Sequence, residues 1–320
     1  MSFALAITGP TASGKTSLSL YLARELGCEI ISCDSMQIYK EMNIGTAKAT
    51  DEERAVCPHH LIDFLSPLEG YSAENYREDA LRCVRDIESR GRLPLFVGGT
   101  GLYIETVIRG GELLSPPSSP ELKEELLSRA VTDEERQRLW ERLYAIDPES
   151  AEKIHKNNVR RVARAVEIYE LTGKTKTYFD ELSRTASSDV TVGMITLDFH
   201  NRELLYSRVN ERVDMMLREG LLDEVRSLCE RGLIKPDTTA GQAIGYKELL
   251  SYLRGEVSLE EAAEELKLST RRYAKRQLTW FRHTDAKRLY LDTEEGVMKS
   301  SEEIQRELLS LANTLIEEKG

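Results

Sequence analysis

The chain has 320 residues, 40% of them hydrophobic and 31% charged, with 44 Lys and Arg against 55 Asp and Glu and a formal net charge of -11 at pH 7. That balance excludes a disordered or collagen-like chain, and it excludes a uniformly basic coat for nucleic acid while leaving room for a local basic patch. No apolar run approaches the roughly 18 residues needed to span a bilayer, and MSFALAITGP lacks the basic lead and cleavage-type ending of a signal peptide, so a cytoplasmic protein is expected.

In chain order, Phe3 to Thr8 reads as a short apolar strand, followed by a Gly-rich turn and a helix from about Lys15 to Leu26. Glu29 to Cys33 is a second strand, ending at Asp34. A less regular stretch leads to an amphipathic helix from about Ser72 to Ser89. Leu93 to Val97 is a third strand that opens into Gly98-Gly99-Thr100-Gly101 and another helix. This alternation is the signature of βαβ units and a parallel sheet. At Ser115-Pro116-Pro117-Ser118-Ser119-Pro120 the composition changes to a Pro/Ser-rich turn, a candidate hinge. Glu121 to Ser183 is charged and helical with no strand. Val190 to Phe199 resumes the sheet pattern. More helices follow, with a short strand near Arg288 to Leu291 and a last helix from Ser301 to Glu318. The expected division is 1–114 and 190–320 as a core in two parts, with 115–189 inserted between them as helices.

Five cysteines (Cys28, Cys33, Cys57, Cys83, Cys229) show no C-x-x-C spacing, and reduced thiols are expected rather than a zinc or redox site. Gly9-Pro10-Thr11-Ala12-Ser13-Gly14-Lys15-Thr16 fits G-x-x-x-x-G-K-[ST] in full and sits between a strand and a helix. Its glycines let backbone amides turn inward, the helix N-terminus adds its positive end, Lys15 neutralises phosphate oxygens and Thr16 is placed to ligate Mg²⁺. The fold expected is therefore α/β, a parallel sheet of the P-loop NTPase kind flanked by helices, with an all-helical insertion.

The motif names a phosphate-bearing group and not a substrate. A nucleotide hydrolase usually ends a core strand with an acidic metal ligand, but the Leu93–Val97 strand ends in Gly98-Gly99-Thr100. The strand-ending carboxylate nearest the cradle is Asp34, which reads as a partner of the metal site, a general base or a turn-former. Groups at the carboxyl ends of parallel strands face the ligand crevice, so Asp34 and Thr100 should both point at Lys15 and Thr16.

At this point several blocks, GPTASGKT, Asp34 to Tyr39, Asn43 to Lys48, Pro58 to Asp63, Val97 to Tyr103, Gly241 to Tyr246 and Arg271 to Gln277, together resemble the tRNA dimethylallyltransferase (tRNA isopentenyltransferase) family. The likeness runs in order from about residue 3 to 283 and, without the C-terminal zinc finger of eukaryotic members, points to the bacterial form. It implies transfer of a dimethylallyl group from dimethylallyl diphosphate to the exocyclic 6-amino group of the adenosine 3′ of the anticodon, with release of diphosphate. Mg²⁺ is the implied cofactor, and a monomer binding the tRNA anticodon stem-loop, with no membrane partner, is the implied form. Gly9 to Thr16 and Arg212 would bind diphosphate, and Asp34 and Thr100 would be catalytic.

The tRNA contacts implied by the likeness are Asp34, Ser35, Met36 and Gln37, then Arg160, Arg161, Val162, Ala163 and Arg164, then Gln242, and finally Arg271, Arg272, Tyr273, Lys275, Arg276 and Gln277. Arg271 to Arg288 holds seven basic residues against one acid, with Tyr273, Trp280, Phe281 and His283 among them, a mix suited to phosphate and base contacts. His155 to Arg164 holds four basic residues and no acid. The bland reading of each stretch is a solvated helix face. Arg208 and Arg212 lie one turn apart and read either as diphosphate contacts or as surface ion pairs. His59 and His60 read as packed or capping side chains, Tyr103 as core packing, and Met215, Met216 and Leu217 as helix core. Competing functions are a P-loop small-molecule kinase, a prenyltransferase of free adenine nucleotides and a non-catalytic RNA-binding module.

Overall fold

The computed structural model describes residues 2–109, 116–185, 188–236 and 238–319. The chain forms two compact units, Met1–Ile108 with Asp189–Gly320, and Arg109–Ser188. The first unit opens with β1 (Ser2–Thr8), α1 (Lys15–Leu26), β2 (Cys28–Ser32), α2 (Asp51–Val56), β3 (His59–His60), α3 (Ala73–Ser89), β4 (Leu93–Gly98) and α4 (Gly101–Ile108). The second unit contributes α5 (Pro120–Ser128), α6 (Asp133–Ile146), α7 (Pro148–Lys153), α8 (Val159–Thr172) and α9 (Lys176–Thr185). The first unit resumes with β5 (Val190–Asp198), α10 (Arg202–Arg218), α11 (Leu221–Glu230), α12 (Tyr246–Leu253), α13 (Leu259–Phe281), β6 (Lys287–Tyr290) and α14 (Ser301–Lys319).

Among the described residues six strands form one sheet, all parallel, in the order β3-β2-β4-β1-β5-β6. β1 lies inside the sheet, and Ala4 to Thr8 are buried because helices cover both faces, so its sequence reads as one apolar run instead of alternating. One face packs on α1 and α14 through Leu22, Leu308 and Leu315, the other on α3 and α4 through Tyr76, Val84 and Ile104. Tyr103 stacks on Tyr76 with ring centroids 4.0 Å apart, which makes it a core residue. The helix starts follow local chemistry: Thr50, Ser72, Thr132 and Ser258 each form a capping box with the residue three positions on.

A third core, of Ile38, Tyr39, Met42, Leu221, Val225, Tyr246 and Leu249 among others, joins the loop after β2 to α11 and α12. Its keystone is Glu224, whose carboxylate accepts the amides of Asn43, Ile44 and Gly45 and the Tyr246 hydroxyl. Lys48 is buried beneath the same loop on Tyr39 O, Asn43 Oδ1 and Asp63 Oδ1. The Asn43–Lys48 block is thus a structural clamp. Met216 and Leu217 pack against this core, but Met215 is 45% exposed, which corrects its reading as helix core: it lies on the helix face away from Val213.

The second unit has its own core of Leu126, Leu139, Leu143, Val162, Ala163 and Val166. The Pro/Ser-rich run expected as a hinge is anchored where it is described. Arg164 donates to the carbonyls of Pro116 and Pro117, while Glu167 accepts from Ser118 Oγ and Ser119 N. Ser115 lies outside the described residues. Replacing Glu224 with Ala would strand three amides and a hydroxyl at once, and urea unfolding should read a loss of about 3 kcal/mol.

Candidate active site

Because β1, β2 and β4 are parallel neighbours, the three segments that follow them leave the sheet at one edge: the Gly9–Thr16 loop, Asp34 and Thr100. The loop is shaped by left-handed backbone at Ala12 (φ 62°) and Gly14 (φ 83°), the alternation that turns successive amides toward a common anion. Lys15 Nζ rests on the carbonyls of Gly9 (3.1 Å) and Pro10 (2.6 Å). The buried Ser13 hydroxyl has no hydrogen-bond partner among the described residues. From α10, Arg208 Nε donates to Ala12 O at 2.9 Å, so this arginine buttresses the loop backbone. Arg212, one turn on, faces Lys15 and Asp34, and its buried Nε has no partner among the described residues.

The electrostatics are those of half-buried charges crowded together. Burial, reinforced by Arg212 and opposed by Asp34, brings the Lys15 ammonium down to about 7. Burial also raises the Asp34 carboxyl above its ordinary value, against the pull of the Met36 amide, Lys15 and Arg212. Arg212 is lowered by the same desolvation. Two donors without partners among the described residues, with the Lys15 ammonium, leave this loop open to an anion.

Asp34 Oδ1 accepts the Met36 amide at 2.8 Å, which fixes the carboxylate at the end of β2. The Thr100 hydroxyl accepts the Ser35 amide at 3.1 Å, and the Tyr273 hydroxyl from α13 reaches it as well. Gly101 gives the close approach that this needs: a Cβ there would lie 2.3 Å from the Trp280 indole. Asp198, which ends β5 beside β1, is an acid that motif reading passed over. It accepts the Phe199 amide and pairs with Arg288 and Arg202, so its charge is already engaged. Among the described residues no group of three or more His, Cys, Asp or Glu could hold a metal. The Thr16 hydroxyl, in the first turn of α1, is the cradle group placed to ligate a divalent ion.

The residues expected at RNA divide by helix face. On α8, Arg160 and Arg161 are exposed and make no ion pair with a described residue, whereas Val162 and Ala163 are 1% and 0% exposed. Their side chains belong to the core of the second unit, because four consecutive residues of a helix cannot share one face. Arg164 is held by Glu167 and the Pro116 and Pro117 carbonyls. On α13, Arg272, Lys275 and Arg276 are exposed, Arg271 bonds Asn210 at 2.6 Å, and Arg276 lies over the Tyr273 ring. Gln277 is 4% exposed and turns inward, unlike its basic neighbours. Met36 packs against the third core, and Ser35 sits beside Thr100. Gln37 bonds Ser32 and the Thr46 and Ala47 carbonyls, and Gln242 is exposed and bonds Pro236 O. His59 bonds Cys57 O and His60 bonds Glu29, as packed or capping histidines do.

Residues 37–284 match the family model described as IPP transferase, and residues 3–63 match that of isopentenyl transferase. The chain is 50% identical over 278 residues to a tRNA dimethylallyltransferase of Geobacillus thermodenitrificans, covering 87% of this chain and 86% of that protein. The solved full-length tRNA isopentenylpyrophosphate transferase of Bacillus halodurans is 41% identical with a TM-score of 0.70, covering 99% of this chain and 98% of that one. A eukaryotic dimethylallyltransferase, solved in snapshots of its action on tRNA, has a TM-score of 0.81 at 29% identity, covering 100% of this chain and 81% of that one.

Two outcomes follow from the charges. Above about 7 the free Lys15 is neutral, and a bound polyanion restores its charge, so inorganic diphosphate should bind with proton uptake. Calorimetry in buffers of different ionisation enthalpy should show this, and Lys15→Met should lose it. Because Asp34 is raised, its charge opposes folding above that raised value and has no effect below the ordinary carboxylate range. Asp34→Asn should therefore raise the thermal midpoint at neutral pH, and the gain should vanish in acid.

Proposed function

The chain belongs to the IPP transferase family and transfers a dimethylallyl group to tRNA, and from that premise we propose how its residues divide the reaction. The donor is dimethylallyl diphosphate, and the acceptor is the exocyclic 6-amino group of the adenosine 3′-adjacent to the anticodon. Its diphosphate lies in the Gly9–Thr16 loop against Lys15, the Ser13 hydroxyl and Arg212. The bond from the allylic carbon to the diphosphate oxygen breaks as that carbon bonds to the adenine nitrogen. Lys15 and Arg212 oppose the charge left on the diphosphate, and they do so in a pocket where desolvation makes the interaction strong.

The adenine amine is a poor nucleophile because its lone pair is delocalised into the ring, so a base must take its proton as the bond forms. Asp34 takes that proton, and the Thr100 hydroxyl orients the amine. The observation that carries this reading is a carboxylate raised by burial, facing Lys15 and Arg212 at the sheet edge where the phosphate loop and Thr100 also emerge. Mg²⁺ would be held by Thr16 and diphosphate oxygens, and when bound it neutralises the departing group. The target base must leave its stack to enter such a pocket. Exposed Arg272, Lys275 and Arg276 on α13, with Arg160 and Arg161 on α8, are the tRNA phosphate contacts. The protein works as a cytoplasmic monomer in this reading.

Nucleoside mass spectrometry of tRNA incubated with the enzyme, dimethylallyl diphosphate and Mg²⁺ should show one dimethylallyl adenosine next to the anticodon. Unmodified tRNA, or label on free AMP alone, overturns the reading. Asp34→Ala should lower transfer by about 10³-fold with tRNA affinity within a few-fold, as removal of a base requires. Arg272→Ala and Lys275→Ala should each weaken tRNA binding across sequences and lower the salt slope by about 1.

A further inference from the structure

α13 (Leu259–Phe281) turns one face to the loops of the active site. Tyr273, Gln277 and Trp280 recur at i, i+4 and i+7 and so share that face. Tyr273 bonds Thr100, and Trp280 lies against Gly101. Gln277, between them, makes the two most specific contacts. Its Oε1 accepts the Thr11 amide at 2.8 Å, and its Nε2 donates to the Gly99 carbonyl at 3.0 Å. The orientation of this side-chain amide is unambiguous, because one partner is an N–H and the other a carbonyl oxygen.

Thr11 lies in the phosphate loop after β1, and Gly99 begins the segment after β4 that carries Thr100. The β1–β4 ladder ends at the pair Thr8 and Gly98, so backbone pairing stops just before both loops diverge. Gln277 bridges them where the sheet no longer does. The fit is close: a Cβ at position 99 would lie 1.9 Å from Nε2. Arg272, Lys275 and Arg276 are exposed on the same helix, with Lys275 on the side away from Gln277 and Arg276 over the Tyr273 ring.

We propose that Gln277 is a positioning residue, which sets the spacing between the diphosphate cradle and Thr100 and hence between the leaving group and the acceptor amine. It touches neither substrate and acts through the Thr11 amide and the Gly99 carbonyl. The inference rests on the placement of diphosphate in the cradle and of the amine at Asp34 and Thr100. A helix-packing role alone would lower stability without a selective effect on the chemical step.

The test compares wild type with Gln277→Met, which has similar length and neither bond, and Gln277→Glu, which accepts from Thr11 but cannot donate to Gly99. Single-turnover transfer at saturating tRNA and dimethylallyl diphosphate, tRNA affinity, inorganic diphosphate affinity and thermal midpoint are measured for each. Gln277→Met should slow single turnover by about 10²-fold and weaken inorganic diphosphate by about tenfold, with tRNA affinity within about threefold. Gln277→Glu should fall between the two. A wild-type single-turnover rate in Gln277→Met overturns the proposal, as does loss confined to tRNA affinity. If Gln277→Met does not fold, a wild-type rate in Gln277→Glu overturns it. Failure of the wild type itself to transfer label sinks the assigned reaction instead, so the two failures are distinguishable.

Discussion

Desolvation of charge at one sheet edge is the constraint on which the site depends. Lys15, Asp34 and Arg212 face one another in a pocket that burial makes costly for each of them. Lys15 rests on carbonyl oxygens, and Arg212 keeps a nitrogen without a partner among the described residues. Buried charge held in this way is a poor arrangement for stability and a good one for receiving a polyanion. A diphosphate relieves the two cations, and the same low polarity that raises Asp34 makes it a better proton acceptor. One physical cause thus serves both halves of the proposed reaction.

The scaffold that tolerates this cost is rigid around it. Arg208 ties α10 to the phosphate loop, Gln277 ties α13 to the same loop and to Gly99, and Tyr273 ties α13 to Thr100. Glu224 and Lys48 fasten the loop that continues from Asp34 and Gln37. Pre-organised polar contacts of this kind hold reacting groups in place without reorganisation at the moment of reaction. The helix that braces the cradle also presents basic side chains outward, so recognition and chemistry share one element.

Several features were legible because they are local. The apolar run of β1, the G-x-x-x-x-G-K-[ST] turn, the α1 boundaries and the Ser72 start of α3 follow from periodicity and capping, which act over a few residues. The His59–His60 strand was not legible, because two residues carry no period and are defined by pairing with Ile30 and Ile31. The α8 block was read as a unit, yet a helix sends Arg160 and Arg161 to solvent and Val162 and Ala163 to the core. Met215 failed for a similar reason, since hydrophobic character alone does not tell which face a side chain occupies.

The linear chain on its own determined the α/β class and the phosphate-binding turn with Lys15, since residue type and spacing suffice for each, whereas Asp34 and Thr100 were placed at the crevice by strand ends and given catalytic roles only by the family resemblance. Strand order was decided only by the folded molecule, which set β4 between β1 and β2 and thereby gathered three distant loops at one edge. The fold likewise decided that Gln277 faces the cradle, 266 residues away from Thr11, rather than the solvent side occupied by its basic neighbours. Such contacts depend on which helix packs across which loop, and no pattern within a single segment encodes that choice.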